Sequence, residues 1–216
     1  MTTQKATQNG TQKTIGIIVF DEVLTSEVTA PAEVFGMARK NEWFQDWAVV
    51  MIGVNPDQKI ITTAEGLRLE VDCTIADDLV LDVLIVPGAY DMDHLFANEK
   101  LNAFINEHEK LASWVSSNCS GAFLLASAGV LDGMKATTYF GGEASLQEQY
   151  PQIEVVFDHP VVVDHRRLTS NGGVVSYQAA VMLLAQLTTP EHAKEVYDGL
   201  QIGRMATWAE IEGAMA

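Results

Sequence analysis

The chain has 216 residues, of which 48% are hydrophobic and 19% charged, a composition that excludes a disordered or coiled-coil chain. Thirteen Lys and Arg residues against 29 Asp and Glu residues give a net charge of −16, which opposes contact with a polyanion, so we expect no nucleic-acid partner. No apolar run approaches the about 18 residues that a membrane-spanning helix needs, so we also expect no membrane insertion.

The amino terminus is polar. Residues 1–13 are rich in Thr and Gln and lack the apolar core of a secretory signal, so we expect a flexible tail at 1–13 and a single domain at 14–216. The same absence predicts a cytoplasmic protein with free thiols at Cys73 and Cys119. The five histidines show no zinc-like spacing with either cysteine, so we expect no metal site.

Three segments in the first half have the length and the continuous apolar character of strands that are buried on both faces. Such runs are typical of a parallel sheet, whereas a half-exposed strand alternates between apolar and polar residues. The weak alternation around Glu65 and Gly66 instead predicts a small hairpin or an edge element over 59–72. The three buried strands are predicted at 15–20, 48–54 and 81–86.

Helical patterns separate these strands. Residues 27–40 read as a helix in which Thr29 is a plausible cap and Pro31 lies in the first turn, where proline is tolerated. Residues 93–110 have apolar residues at helical spacing and predict one amphipathic helix. The second half predicts short strands at 136–139, 153–157, 161–163 and 168–170, a turn at 164–167, and helices from 171–173 to about 187 and over 190–204.

This alternation, with no linker and no internal repeat, predicts a doubly wound α/β sandwich. Within it, an apolar segment of strand length over 111–118 gives way to helix-forming residues just after Cys119. A thiol at such a turn projects from the backbone, and the free amides at the helix start favour its thiolate. Gly121 permits the close backbone approach that the turn needs.

Ligands of such folds bind beyond the carboxyl ends of the strands, and three predicted loops meet there. They carry Glu27, the pair Gly88 and Ala89, and the residues Asn118 and Ser120 beside the cysteine. We expect Cys119 to act as a nucleophile with Glu27 as its proton partner. The backbone amides of Ala89 and Ser120 are expected to bind developing negative charge as an oxyanion hole.

Each of these residues also has a plainer interpretation. Glu27 is equally consistent with a solvated first-turn residue that complements the helix dipole, and Gly88 with an ordinary turn glycine. Cys73 is best explained as a small buried hydrophobic residue. Tyr139 is either a packing aromatic or part of the pocket wall.

A recognisable pattern is carried by four segments, at 17–21, 27–35, 82–88 and 119–133, and supported by 136–138, 146–158 and 168–170. Together these segments resemble the ThiJ/PfpI superfamily, relatives of the parkinsonism-associated cysteine protein. The resemblance covers roughly residues 14–190 and extends toward the isonitrile hydratase-like branch. It implies a flavodoxin-like three-layer sandwich with a mostly parallel sheet, as in class I glutamine amidotransferases, usually a homodimer, with no metal or organic cofactor.

By position, Cys119 matches the family's nucleophile, Glu27 its acidic partner, and Gly88 and Ala89 the loop that faces the cysteine. The resemblance implies a cysteine-dependent enzyme acting on a small electrophilic carbon, most like isonitrile hydratase, which makes an N-substituted formamide. The protease-like branch has His directly after its cysteine, where this chain has Ser120, so peptidase chemistry is discounted.

Two alternatives stay open. Isonitrile hydratases usually have Asp where this chain has Glu27, and Glu is typical of glyoxalase-like relatives that hydrate a 2-oxoaldehyde. A non-enzymatic alternative is an oxidative-stress or small-ligand sensor in which Cys119 is oxidised to a sulfinic acid that Glu27 stabilises.

Overall fold

A computed structural model describes residues 12–205 and residue 210. Its centre is a seven-stranded sheet with the strand order β10, β11, β7, β6, β1, β2, β5, in which only β10 runs antiparallel to its neighbour. The strands are β1 Lys13–Val19, β2 Trp47–Gly53, β3 Ile60–Thr62, β4 Arg68–Glu70, β5 Cys73–Thr74, β6 Val83–Val86, β7 Trp114–Asn118, β8 Lys135–Ala136, β9 Glu154–Val155, β10 Val161–Asp164 and β11 Arg167–Ser170.

Helices cover both faces of this sheet, as the three-layer prediction requires. Helices α1, α6 and α7 pack against one another as one group, and α2, α3 and α4 form the other. The helices are α1 Thr25–Ala38, α2 Asp93–Phe96, α3 Glu99–Leu111, α4 Gly121–Ser127, α5 Glu143–Gln149, α6 Val175–Leu187 and α7 Pro190–Gly199, followed by a short 3-10 helix at Ile202–Arg204. None of these helices is long and apolar enough to cross a membrane.

Burial of the central strands explains their continuous apolar sequences. In β1 the side chains of Ile15, Ile17, Ile18 and Val19 have no solvent exposure, because helices lie on both faces and strands β6 and β2 pair on both edges. The predicted parallel sheet is therefore confirmed. The predicted hairpin over 59–72 is also confirmed, with β3 and β4 antiparallel, and the turn at 164–167 joins β10 to β11.

Helix α1 differs from its prediction at both ends. It begins at Thr25, and Thr29 is not its cap: the Thr29 hydroxyl donates to the carbonyl of Thr25 over 2.9 Å. Pro31 therefore lies inside the helix and not in its first turn. A proline there has no N–H for the carbonyl four residues earlier, which is that of Glu27.

The other differences are boundaries. The helix predicted over 93–110 is two helices, because the Asn98 side chain accepts from the amide of Leu101 and starts α3 anew. Strands β6 and β7 are shorter than predicted, and the segments at 136–139 and 153–157 contribute only one and two residues to strands, respectively. The helix predicted over 190–204 ends at Gly199. The predicted tail at 1–13 lies outside the described residues except for its last two, and Lys13 already pairs in β1.

Candidate active site

Cys119 occupies a sharp turn between β7 and α4. Its φ of 52° lies in the left-handed region, which residues with a side chain seldom adopt. The surrounding structure fixes this conformation from both sides. The Cys119 amide donates to the carbonyl of Ser170 over 2.8 Å, and the Cys119 carbonyl accepts from the Thr138 hydroxyl over 2.9 Å. The predicted elbow is therefore confirmed, and Thr138 is a support that the sequence did not reveal.

Two glycines let the backbone close around the cysteine. A Cβ atom on Gly121 would clash with the carbonyl of Val86 and lie 2.9 Å from that of Pro87, so the predicted close approach at Gly121 is confirmed. Gly172 follows β11 with a φ of 78°, and a Cβ atom there would lie 2.6 Å from Cys119 Cβ and strike Glu27 Oε1. Gly172 thus lies against both Cys119 and Glu27 and leaves no room there for a side chain.

Glu27 is completely buried, so the alternative of a solvated first-turn residue is wrong. Its Oε2 accepts a hydrogen bond of 2.6 Å from the amide of Gly88, so Gly88 contacts the site and is more than a turn glycine. Its Oε1 has no nitrogen or oxygen partner among the described residues. The Cys119 thiol and the amide of Gly173 lie close enough to the carboxylate to lower its pKa. The free oxygen therefore belongs to the same small space as the sulfur.

A hydrogen bond from the elbow to the backbone of Glu27 depends on the proline in α1. Because Pro31 has no N–H, the carbonyl of Glu27 is open to another donor, and the Asn118 side chain reaches it over 3.4 Å. The Asn118 Oδ1 accepts from the Ser170 hydroxyl over 2.6 Å. Asn118 therefore fixes the spacing between α1, β7 and β11, and it lies behind the site instead of lining it.

Ser120 and Ala89 bind each other. The Ser120 hydroxyl donates to the carbonyl of Ala89 over 2.8 Å and accepts from the amide of Ala89 over 3.1 Å. The prediction that the Ala89 amide contributes to an oxyanion hole is therefore wrong, because this amide already has an acceptor. The Ser120 amide instead faces Cys119 and lowers the pKa of its thiol.

Burial governs the charge of the pair. Burial raises the pKa of Glu27 to about 7, against the opposing hydrogen bond from Gly88. Burial and the nearby Glu27 carboxylate raise the pKa of Cys119 to about 12, more than the Ser120 amide lowers it. The Ser120 amide at the helix start favours the thiolate, as predicted, but burial and an ionised Glu27 outweigh this effect and favour the thiol. Because an ionised Glu27 raises the pKa of Cys119, a thiolate forms most readily when Glu27 is protonated.

A cavity of ≈ 600 Å³ opens above the sulfur. Of the predicted site residues, Ala89, Ser120 and Tyr139 line it together with Cys119, whereas Glu27, Gly88 and Asn118 lie behind it. The sequence did not indicate most of the wall, although Phe123 stands one helical turn after the cysteine, a spacing that indicates a shared face. The remaining lining residues are Leu24, Tyr90, Met92, Asp93, Phe96, Phe123, Ser145 and Gln149.

Two further features concern bound groups and cysteines. Within the described part of the chain, no three His, Cys, Asp or Glu side chains are grouped so as to hold a metal ion. Cys73 is half-buried at the sheet edge in β5 and packs against the core, in line with its prediction as a small hydrophobic residue. Burial raises the pKa of its thiol to about 11.

A cysteine at a strand-to-helix elbow on a flavodoxin-like sheet, with a buried glutamate beside it, defines a class of cysteine-centred α/β proteins. The chain belongs to one family of that class, the DJ-1/PfpI family, whose model matches residues 13–186. The isonitrile hydratase of Pseudomonas putida is 28% identical over 172 residues, covering 80% of this chain and 70% of that protein. The transcriptional regulator GbdR of Pseudomonas aeruginosa is 23% identical over 192 residues, covering 88% of this chain and 49% of the regulator.

Solved structures show the same fold. A ThiJ/PfpI family protein from Pseudomonas syringae superposes with a TM-score of 0.80 at 20% identity, over 100% of this chain and 90% of that one. Drosophila melanogaster DJ-1beta superposes with a TM-score of 0.74 at 22% identity, over 88% of this chain and 98% of that one.

Proposed function

We propose that this chain is a cysteine-dependent enzyme that hydrates isonitriles, turning R–N≡C and water into the formamide R–NH–CHO. The observation that carries the proposal is the fully buried Glu27 carboxyl group, which lies beside Cys119, behind a cavity lined mostly by apolar and aromatic side chains. Burial brings the pKa of Glu27 to about 7, where a carboxyl group both gives and takes protons readily. The similarity to the Pseudomonas putida isonitrile hydratase supports the choice of substrate.

The proposed reaction begins with addition of Cys119. Its sulfur bonds to the terminal carbon of the isonitrile while protonated Glu27 gives its proton to the same carbon, which yields a thioimidate, R–N=CH–S. Water then adds to this carbon, and one of its protons passes through Glu27 to the nitrogen. The resulting R–NH–CH(OH)–S intermediate loses its hydroxyl proton to Glu27, the C–S bond breaks, and the thiolate is restored.

The first prediction concerns Cys119→Ala. We expect kcat/KM for an alkyl isonitrile to fall below about one thousandth of the wild-type value, because the covalent step is lost. Alanine keeps the Cβ atom that already occupies the left-handed turn, so the free energy of unfolding should change little. The matched control is Cys73→Ala, which should keep the activity. Full activity in Cys119→Ala would exclude Cys119 as the nucleophile.

The same purified protein separates the alternatives. Turnover of methylglyoxal without turnover of isonitriles would replace this proposal with 2-oxoaldehyde hydration. A gain of two oxygen atoms on Cys119 after mild peroxide, without turnover of either substrate, would replace it with oxidative sensing, measured by intact mass spectrometry.

A further inference from the structure

The wall of the cavity above Cys119 is aromatic. The ring of Phe123, on α4, lies 6.2 Å from that of Tyr139 and 6.4 Å from that of Phe96, measured between centroids. Met92 and Leu24 add further apolar surface. Aromatic rings offer apolar contact together with electron-rich faces that attract cations.

The charges around this cavity have one sign. Among the described lining residues the single charged side chain is that of Asp93, the first residue of α2, and none is Lys, Arg or His. Asp91 stands beside it and accepts from the Asp93 amide over 3.0 Å, and Glu27 lies beneath the cysteine. His94, the next residue along, lines a different cavity. A ligand that approaches Cys119 therefore meets carboxylates and no facing cation.

We infer that this site accepts substrates whose substituent is apolar or cationic, with Asp93 as a specificity-determining residue, and that it rejects substrates with an anionic substituent. The inference rests on the proposed function for the reacting group, and on the aromatic wall and Asp93 for the substituent. A carboxylate or phosphate substituent would lose its hydration next to like charge, without a compensating partner.

Charged thiol reagents of similar size test this without turnover. Methanethiosulfonates form a disulfide with a thiolate and release methanesulfinate, so their rates report access to Cys119. In a Cys73→Ala background, mass spectrometry gives the rates for the trimethylammonium-ethyl and sulfonatoethyl reagents. We expect the cation-to-anion rate ratio at Cys119 to exceed that of a small free thiol by about tenfold or more.

Three variants identify the source of that ratio. Asp93→Asn should lower it by about fivefold, and Asp93→Glu, which keeps the charge, should preserve it. Asp78→Asn is the matched control, because it removes one exposed acidic charge from the loop before β6, outside the lining residues, and should leave the ratio unchanged. A wild-type ratio equal to that of the free thiol, or equal losses in Asp93→Asn and Asp78→Asn, would overturn the inference.

The uncharged methyl reagent provides the remaining comparison. Its rate at Cys119 should be the same in wild type and Asp93→Asn, and failure of this small reagent to modify Cys119 at all would also overturn the inference. These labelling rates are independent of catalysis. Charge selection in a protein that does not turn over isonitriles would therefore refute the proposed function alone, and isonitrile turnover without charge selection would refute the inference alone.

Discussion

Glu27 shows how one buried carboxyl group links stability to chemistry. Enclosing it removes it from water, and the single strong hydrogen bond from Gly88 does not fully replace that hydration. The folded protein therefore holds the proton of Glu27 to about pH 7, whereas the ordinary value for glutamate is 4.5. The group that the proposed reaction needs as a proton carrier is thus one that weakens the fold once it is ionised.

The second prediction follows from the sign of this shift. Below pH 4.5 Glu27 is protonated in the folded and the unfolded chain. Between pH 4.5 and 7 only the unfolded chain releases the proton, so stability from this group falls as the pH rises, by about 3 kcal/mol in all. Glu27→Gln has no such proton, so its free energy of unfolding should gain about 3 kcal/mol relative to wild type from pH 4.5 to pH 8.

Urea unfolding of both proteins across this pH range measures the difference, and activity assays on the same samples complete the test. Glu27→Gln should be inactive even at the pH values where it is more stable than wild type, because an amide cannot carry the proton. A stability difference that does not change with pH would show that the pKa of Glu27 is not raised.

The loop after β11 illustrates the next level, where backbone geometry holds the pair together. Gly172 and Gly173 both adopt positive φ values, 78° and 58°, but only Gly172 faces Cys119 and Glu27, and a Cβ atom on Gly173 would meet open space. An alanine at either position would therefore have the same backbone strain, but only an alanine at position 172 would also collide with its neighbours.

The third prediction uses this pair of glycines. Gly173→Ala should cost only the left-handed strain, about 1–2 kcal/mol, and should keep the amide that faces Glu27. Gly172→Ala adds a collision with Cys119 Cβ and Glu27, so it should destabilise the fold by clearly more and lower kcat/KM at least tenfold. Urea unfolding and isonitrile assays compare the stability and activity of the two variants. Equal effects would contradict the conclusion that the space beside Cys119 and Glu27 requires glycine at position 172.

For the molecule as a whole, two exposed apolar residues lie at the end of the sheet that carries the cysteine. Phe140, in the loop after β8, is 79% exposed, and Val174, in the loop after β11, is 56% exposed. Apolar side chains of this size in neighbouring loops are typical of a surface that contacts another molecule. We propose that a second copy of this chain covers them, which would make the protein a homodimer.

The fourth prediction is that sedimentation equilibrium gives twice the chain mass of 23.6 kDa. Phe140→Ser should weaken the association, because it removes the largest exposed apolar side chain of this surface. Val80→Ser is the matched control. Val80 is 67% exposed but lies just before the start of β6, at the end of the sheet opposite to the cysteine. A monomer at all concentrations, or equal weakening by both substitutions, would contradict the proposal.

The sequence by itself determined the sheet, the elbow and the meeting of three loops. Continuous apolar runs such as 15–20 indicate burial on both faces, and glycine and proline positions mark where the chain turns. Because parallel strands end at one edge of a sheet, residue order alone places Cys119, Glu27 and Gly88 together. These are properties of local patterns and of general chain topology.

Only the tertiary structure decided the chemistry of the site. The burial of Glu27, its bond to Gly88, 61 residues away, and the partner that occupies the Ala89 amide depend on atoms from distant segments. The structural effect of Pro31 also depends on a distant segment, because the Glu27 carbonyl that Pro31 leaves without a helix donor accepts from the Asn118 side chain of β7. Hydrogen-bond partners and pKa values are set by such neighbours, which are distant in the sequence and cannot be identified from local sequence patterns.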